Sequence, residues 1–390
     1  MLGILMFCCR MPSRRRLRQI SHSQEFHENW CSLSGARTDA VAHPDTLMYL
    51  LKRLDNAELG AVAPKIIKAL IRAKRLPKAF LDGHLMIAVD GVCTFSSHDY
   101  HCEQCLVMNH QDGSTSYLHS MLEAKVVCSD GVTLSIMSEP IINPKTTTYD
   151  KQDCELEAFK RLAPRLKAAL PRTKLLLLLD SLYACAPVFE LCREHRWQFI
   201  ATFKRGSIPT LFDEAMTLLS LHPHHVKTRT TDGVSQRWRW LDDLVYLSHG
   251  NQFTLGFIDC HETHQSETLD DKYFAWLTSF SPRKSTVDAY GTGGRLRWKI
   301  ENEGNNQQKN GYSMEHFCDC SDTNALVGLF LLLQLAHTLM QLVARSSIVE
   351  GFETLEFLAY LLLESLRNTR LPRYLFAPKL PPLQIRTAPP

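Results

Sequence analysis

Residues 175–184 read LLLLLDSLYA: five consecutive leucines followed by an aspartate, Asp180. An apolar run of this length, between Pro171 and a charge, is typical of a β-strand buried on both faces. The segments that follow favour a helix, APVFELCREH (186–195), and a second strand, WQFIATFK (197–204). This β-α-β order predicts two parallel strands joined by a right-handed crossover. The stretch therefore predicts an α/β protein.

The neighbouring segments supply further elements of the same unit. HLMIAVDGV (84–92) is a β-rich run that closes on an Asp-Gly pair. YLHSMLEAKVVC (117–128) and VTLSIMSEPI (132–141) flank the turn residues SDG and predict two neighbouring antiparallel strands. Apolar residues recur with helical spacing through 151–170. Together these patterns predict a sheet covered by helices.

Two regions outside this unit differ from it in character. Residues 1–82 are mostly helical by periodicity, whereas residues 207–290 alternate like antiparallel strands, which indicates a β-rich insertion. A helix-rich stretch begins at residue 290, and the chain closes on a Pro-rich tail.

The charge of the chain is nearly balanced but unevenly distributed. Its 390 residues carry a formal net charge of +3, and 45% of them are hydrophobic, an ordinary globular composition. Arginine and lysine cluster in residues 10–18 and 68–78. Such clusters suit phosphate groups, although a solvated basic face explains them equally well.

The cysteines and the most apolar segment bear on the compartment. The 13 cysteines are odd in number and irregularly spaced, which favours reduced thiols in a cytosol, and we expect no secretory signal. Residues 325–343 are apolar enough to suggest a membrane helix. Gln334, His337 and Gln341 nevertheless recur every three or four residues, as the polar stripe of a buried helix would. We therefore expect a cytoplasmic protein with no membrane span.

Three acidic residues stand out by their context. Asp90 and Asp180 each end a predicted strand, and Glu301 lies in the helical stretch RLRWKIENEG (295–304). Ligands gather beyond the carboxyl ends of strands in open α/β sheets, and two aspartates on adjacent strands repel unless a cation bridges them. Mg²⁺ prefers such hard oxygen ligands. Glu303 is the rival third ligand, although it points away from Glu301 on an ideal helix.

Local structure also explains each acid taken singly. Asp180 can cap the helix that follows it, and Asp90 with its glycine can form a turn. Arg297 and Glu301 are four residues apart, so they can form an ordinary helical ion pair. Alternatively, Glu301 binds a metal and Arg297 contacts a DNA phosphate. The three acids considered together favour a cation site.

The order of these acids, with RWKIENEG (297–304) around the glutamate, resembles the DDE transposases of bacterial insertion sequences. The resemblance covers about residues 84–345, in the order DGVCTFSSHDYHCEQCL (90–106), EPI (139–141), KQDCELEAFKRL (151–162), DSLYACAPV (180–188) and RWKIENEGNNQQKNGYSMEH (297–316). It implies an RNase H-like α/β core, in which a mixed β-sheet is flanked by helices, with a β-rich insertion and a helical N-terminal region.

The resemblance also divides the chain into five parts. We expect a helical, DNA-binding region (1–82), the first part of the catalytic core (83–206), the insertion (207–290), the helical end of the core with Glu301 (291–345), and a C-terminal helix with a Pro-rich tail (346–390).

The activity that the resemblance implies is transposition. Asp90, Asp180 and Glu301 would be the catalytic triad and would hold two Mg²⁺ or Mn²⁺ ions for cleavage at the element's ends and strand transfer into target DNA. The partners would be the terminal inverted repeats, the target DNA and a second copy of the chain, in a bacterial, nucleoid-associated setting. Two alternatives stay open: a metal-dependent nuclease without strand transfer, and a catalytically inactive, transposase-derived DNA-binding protein.

The signature around the glutamate is incomplete. A tyrosine is common three residues before the arginine, where this chain has Gly294, and a lysine is common seven residues after the glutamate, where it has Gln308. Lys309 follows and lies about 80° from Glu301 on an ideal helix, within reach of the same face. The residues expected to contact DNA are Arg297, Trp298 and Lys309.

A second metal pattern lies in HCEQC (101–105), where Cys102 and Cys105 have C-x₂-C spacing. Zinc binding is one interpretation of this pair. No second pair of the same kind completes the pattern, so reduced cysteines in a loop are the alternative. Other thiol and imidazole groups nearby in the sequence are His101, His110, His119 and Cys128.

Overall fold

The computed structural model describes residues 1–11, 13–20, 22–145, 151–231, 233–264, 270–317, 322–347, 349 and 354–370. Within them the chain forms a large, mixed, open β-sheet flanked by helices. The strands are β1 (Phe80–Leu81), β2 (His84–Ser97), β3 (Leu106–Asn109), β4 (Thr115–Val127), β5 (Thr133–Ile141), β6 (Leu175–Leu179), β7 (Gln198–Thr202), β8 (Val226–Thr231), β9 (Val234–Ser248), β10 (Asn251–His264) and β11 (Lys272–Thr278).

Helices flank the sheet and form the N-terminal region of the chain. They are α1 (Leu2–Cys8), α2 (Arg14–Ile20), α3 (Gln24–Ser34), α4 (Pro44–Leu51), α5 (Asn56–Gly60), α6 (Val62–Arg72), α7 (Glu155–Ala169), α8 (Ala186–His195), α9 (Pro209–Leu221), α10 (Val287–Arg295), α11 (Gln307–Tyr312), α12 (Met314–Phe317), α13 (Thr323–Ala344) and α14 (Leu355–Asn368). A π-helical segment, Ile300–Asn306, precedes α11.

The five leucines form the strand that the sequence predicts. All of β6 is buried, and it pairs in parallel with β2 on one side and with β7 on the other. Helix α8 connects β6 to β7, which confirms the predicted β-α-β unit. Because both faces of this strand are covered, a polar residue at any of its five positions would lose hydration without gaining a partner.

Strand β2 lies at the centre of the core sheet. Its other edge pairs with β4 in the antiparallel sense, and β4 pairs with β5 across the predicted turn. The expectation that β2 ends near Asp90 is wrong, because its pairing with β4 continues as far as Ser97. Asp90 therefore projects from the middle of a long strand, where the backbone on both sides of it is fixed.

The segment 207–290 extends the core sheet. It begins with the helix α9, and strands β8 to β11 then follow as antiparallel neighbours, as the alternation predicts. Strand β11 pairs with β7, so these four strands belong to the same sheet as β2 and β6. This pairing covers an edge of β7 that would otherwise expose unpaired backbone groups.

Helix α13 is the one described helix that is long and apolar enough to cross a membrane by length and composition, and 83% of its apolar window is buried within the protein. The N-terminal helix α1 lies against it: Cys8 Sγ approaches the Ala336 carbonyl oxygen at 3.9 Å, and Leu332 packs at Gly3. Helices α1, α3, α4 and α14 share a hydrophobic core with α13. The burial of α13 is thus a consequence of its packing against helices from both ends of the chain and against the sheet. The Pro-rich tail (371–390) lies outside the described residues.

Candidate active site

The sheet register brings the two aspartates together. Strands β2 and β6 run in parallel, with Leu85 opposite Leu175 and Ala88 opposite Leu178. Two further residues along each strand place Asp90 beside Asp180. Since neighbouring strands are about 4.8 Å apart, the two carboxylates share one end of β6.

Asp180 has the capping role that is one of the two alternatives the sequence offers for it. Its Oδ1 accepts a hydrogen bond of 2.6 Å from the Ser181 N–H, so it caps the short 3₁₀ turn Ser181–Tyr183. It also lies close enough to Asp90 to raise the pKa of that carboxyl group. The cap fixes the aspartate backbone at the point where β6 ends.

Arg297 links Glu301, which lies on the π-helical segment, to Asp90. Arg297 Nη1 lies 2.7 Å from Glu301 Oε1 and 4.0 Å from Asp90 Oδ1, so the two acidic oxygens are separated by no more than the sum of these distances. The Arg297 side chain is only 6% exposed. The predicted helical ion pair is present, and it is shared with a second acid. The expected contact of Arg297 with a DNA phosphate stays a prediction. For that contact, the phosphate would have to reach a guanidinium group that lies between two carboxylates.

Glu303, the rival ligand, is engaged elsewhere. Its Oε1 lies 2.8 Å from Lys299 Nζ. Glu301, but not Glu303, is among the residues that raise the pKa of Asp90. The geometry therefore favours Glu301 as the third acid of the cluster.

Glu155 is a fourth acid that the sequence reasoning missed. It is the first residue of α7, where an acid is adequately explained by the helix dipole. In the structure its carboxylate packs against Gly91, where a Cβ atom would collide with it, and its Oε2 accepts a 2.9 Å hydrogen bond from the Tyr183 hydroxyl. The available signal was its place in the block 151–162, which is part of the resemblance.

Two of the four carboxyl groups have a raised pKa. Burial, together with the nearby Glu301, Glu155 and Asp180 and against the opposing effect of Arg297, raises the pKa of Asp90 to about 7. Burial also raises the pKa of Glu155, and Asp180 adds to that rise against the Tyr183 hydrogen bond. An excess of acidic groups over nearby cations is the electrostatic condition under which a divalent cation binds.

The polar stripe of α13 holds the segment that carries Glu301. Gln341 Nε2 donates to the Glu303 carbonyl oxygen at 3.1 Å, and Gln341 Oε1 accepts from the Thr133 N–H at 2.7 Å. The side-chain amides of Gln334 and Gln308 form a reciprocal pair, at 2.8 and 2.9 Å. These buried hydrogen bonds fix the π-helical segment against the sheet, which positions Glu301.

Two departures from the transposase signature have a structural explanation. A Cβ atom at Gly294 would lie 2.7 Å from Trp276 Nε1 and 2.8 Å from Ile200 Cγ2, so no tyrosine fits there. Gln308 is fully buried in its amide pair with Gln334, where a lysine would lose its hydration.

The other predicted DNA contacts lie nearer the surface. Trp298 is 52% exposed, and its ring lies 5.4 Å from the guanidinium carbon of Arg297. Lys309 Nζ is 3.2 Å from Glu315 Oε1, and its side chain is 36% exposed. Trp238 and Trp240, by contrast, are buried in the core beside the sheet.

A cleft lies beside the carboxylates, not over them. It has a volume of about 780 Å³ and opens at the first turn of α7, where Asp153 and Arg161 line it. Arg161 pairs there with Asp153 at 2.7 Å and with Glu139 at 2.7 Å. These acids are already neutralised, which distinguishes the cleft from the carboxylate cluster. No protein-family model and no curated protein matches this chain, so a functional assignment depends on the residues and their geometry.

Proposed function

We propose that this protein is a DDE transposase with an RNase H-like core, which cuts DNA at the ends of a mobile element and joins them to target DNA. The observation that carries the proposal is the convergence of Asp90, Asp180 and Glu301 from three separate elements onto one end of the sheet. The order β5-β4-β2-β6-β7, with β6 and β7 parallel to β2, supports it further.

The donor set fits hard divalent cations. Asp90, Asp180 and Glu301 offer only carboxylate oxygens, which are the ligands that Mg²⁺ and Mn²⁺ take in proteins. Glu155 adds a fourth negative charge, whereas Arg297 is the cation that pairs with Glu301 and Asp90. Two bound ions would supply activation of the attacking hydroxyl group and neutralisation of charge on the phosphate.

Neighbouring residues of the chain fix the positions of these three acids. Asp90 is fixed by strand pairing on both sides, Asp180 by its cap, and Glu301 by the hydrogen bonds that α13 makes to its segment. Arg297 balances part of their charge and keeps Glu301 near Asp90. Positioning of this kind lowers a reaction barrier because the acids need not reorganise when the phosphate arrives.

Several surface features suit DNA. In α2, Arg15, Arg16 and Arg18 are exposed, and in and after α6 the same holds for other basic residues, namely Lys65, Arg72, Lys74 and Lys78. The exposed ring of Trp298 beside the acids could stack on a base at a DNA end. Within the proposal, the ligands are terminal inverted repeats and target DNA, bound in the cytoplasm by two copies of the chain because an element has two ends.

The test uses the full-length chain and DNA that carries the inverted repeats flanking its reading frame. We expect Mg²⁺- or Mn²⁺-dependent cleavage at the repeat ends, and joining of pre-cut ends to a target plasmid. Asp180→Asn should abolish both reactions while end binding persists, and Asp242→Asn, which alters an exposed acid of β9, should leave both unchanged.

The other outcomes identify the competing functions. Cleavage without joining of pre-cut ends would mean a metal-dependent nuclease. End binding with no reaction in either metal, unaffected by Asp180→Asn, would mean a DNA-binding protein derived from an inactive transposase. The absence of both end binding and reaction would overturn the proposal.

A further inference from the structure

A second cluster of metal-ligand side chains is formed by strand β4 and the loop that follows β2. Cys102 and Cys105 belong to the loop between β2 and β3, and His119 lies on β4. The Cys102 and Cys105 sulfur atoms are 3.8 Å apart, and His119 Nε2 lies 3.2 Å from one sulfur and 3.3 Å from the other. Three soft or borderline donors thus converge from two elements that are not adjacent in sequence.

These separations match those of a tetrahedral zinc site. With Zn–S bonds of about 2.3 Å and a Zn–N bond of about 2.0 Å, tetrahedral angles place two sulfur ligands about 3.8 Å apart and a sulfur and a nitrogen about 3.5 Å apart. The Cys102–Cys105 separation agrees with the first value, and the two sulfur–nitrogen distances fall within about 0.3 Å of the second. A disulfide would need the sulfurs about 2 Å apart.

Two of the three ligand residues are buried. His119 is one of them, and burial lowers the pKa of its imidazole. Cys105 is buried as well, and its sulfur accepts a 3.3 Å contact from the Cys102 backbone N–H.

The other thiol and imidazole groups near this sequence are engaged elsewhere. His110 Nε2 bonds Ser116 Oγ at 2.7 Å, and the His101 ring stacks on Tyr117 with the centroids 4.3 Å apart. Cys128 is buried in the main core. The ligand set is therefore narrower than the sequence suggests, and its third member comes from β4.

We infer that Cys102, Cys105 and His119 bind one Zn²⁺ ion, with the remaining tetrahedral position open to a solvent molecule or an exogenous ligand. The ion would fasten the loop to β4. The same loop bonds the acidic site's framework, because Asn143 Nδ2 donates to the Cys105 carbonyl oxygen at 2.8 Å and Asn143 Oδ1 accepts from the Asp153 N–H at 3.1 Å. Asp153 is two residues before Glu155, so the zinc loop supports the start of α7.

The experiment measures metal in the purified full-length chain. We expect one zinc per chain by elemental analysis. The zinc affinity should fall at least about tenfold in Cys102→Ser and in Cys105→Ser, since even partners outside the ligand shell change zinc affinity 10- to 100-fold. Cys31→Ser is the matched control, because Cys31 Sγ lies 3.4 Å from His27 Nε2 but belongs to no cluster of three metal-ligand groups among the described residues. His224→Ala controls for the separate histidine cluster at 222–225.

Cobalt identifies the ligands in the wild-type chain, even if a variant fails to fold. Zn²⁺ replaced by Co²⁺ should give a sulfur-to-cobalt charge-transfer band and the intense visible bands of a tetrahedral site. Octahedral, thiolate-free cobalt would overturn the inference, and so would zinc content that Cys102→Ser leaves unchanged or that Cys31→Ser lowers equally.

Discussion

Replacement of Asp90 by asparagine should stabilise the metal-free protein at alkaline pH and remove its response to divalent cations. Asp90 is 18% exposed, and burial and three neighbouring acids raise its pKa from 3.8 to about 7. The folded protein therefore binds this proton more tightly than the unfolded chain does. Stability from the proton is fully present below pH 3.8 and is lost as the pH rises through 7.

The size of the effect follows from the shift. Each pKa unit corresponds to about 1.4 kcal/mol, so the shifted titration of Asp90 costs the fold about 4 kcal/mol at pH 8 and about 2 kcal/mol at pH 5, relative to a side chain that is uncharged at both pH values. Asparagine has nearly the same shape and carries no charge. Its advantage over aspartate should grow by about 2–3 kcal/mol between these two pH values.

The assay is urea unfolding of the wild type and of Asp90→Asn, each at both pH values, with and without millimolar MgCl₂ at constant ionic strength. Mg²⁺ at about 100 times its dissociation constant should stabilise the wild type by about 2.7 kcal/mol, and should not stabilise Asp90→Asn. Asp242→Asn supplies the control, because that acid is exposed on β9. An advantage of asparagine that does not grow with pH would refute the electrostatic reasoning, and equal stabilisation of both proteins by Mg²⁺ would show that the cation binds elsewhere.

Three further substitutions test the framework of the site. Glu155→Gln should keep a hydrogen bond from Tyr183 yet weaken Mg²⁺ binding about tenfold or more. Calorimetric titration measures the Mg²⁺ affinity, and Glu157→Gln, which alters an exposed acid, is the control. Equal Mg²⁺ affinities of the two variants would exclude Glu155 from the cation site. Gln341→Leu should cost about 1–3 kcal/mol in urea unfolding, because the buried Thr133 N–H loses its acceptor, and it should slow cleavage by releasing the Glu301 segment; an unchanged midpoint would contradict this. Gly294→Ala should destabilise by about 1–3 kcal/mol through its collisions with neighbouring side chains, whereas Gly206→Ala, which meets nothing within 4 Å, should be nearly neutral; similar thermal midpoints would show that the helix shifts to make room.

The sequence was most informative where one local pattern implies one environment. The five leucines predicted a strand buried on both faces, and the helical spacing in 151–170 predicted an apolar stripe, whose central members Phe159, Leu162 and Leu166 are fully buried. The stripe of Gln334, His337 and Gln341 likewise predicted a buried helix with polar partners. These features depend on the spacing of apolar and polar residues along the chain, which can be seen directly in the sequence.

The sequence by itself thus determined the elements, the order of the core and the acids that merit attention. Only the tertiary structure decided that β2 and β6 are neighbours in a register that aligns Asp90 with Asp180, that Arg297 lies buried between acids, and that Glu155 completes the cluster. It likewise brought His119 to the two cysteines and joined 207–290 to the core sheet. The physical reason is that burial follows from local periodicity, whereas the convergence of side chains from distant segments depends on strand register and packing. A register shift of one residue would turn strand residues such as Asp90 and His119 to the opposite face.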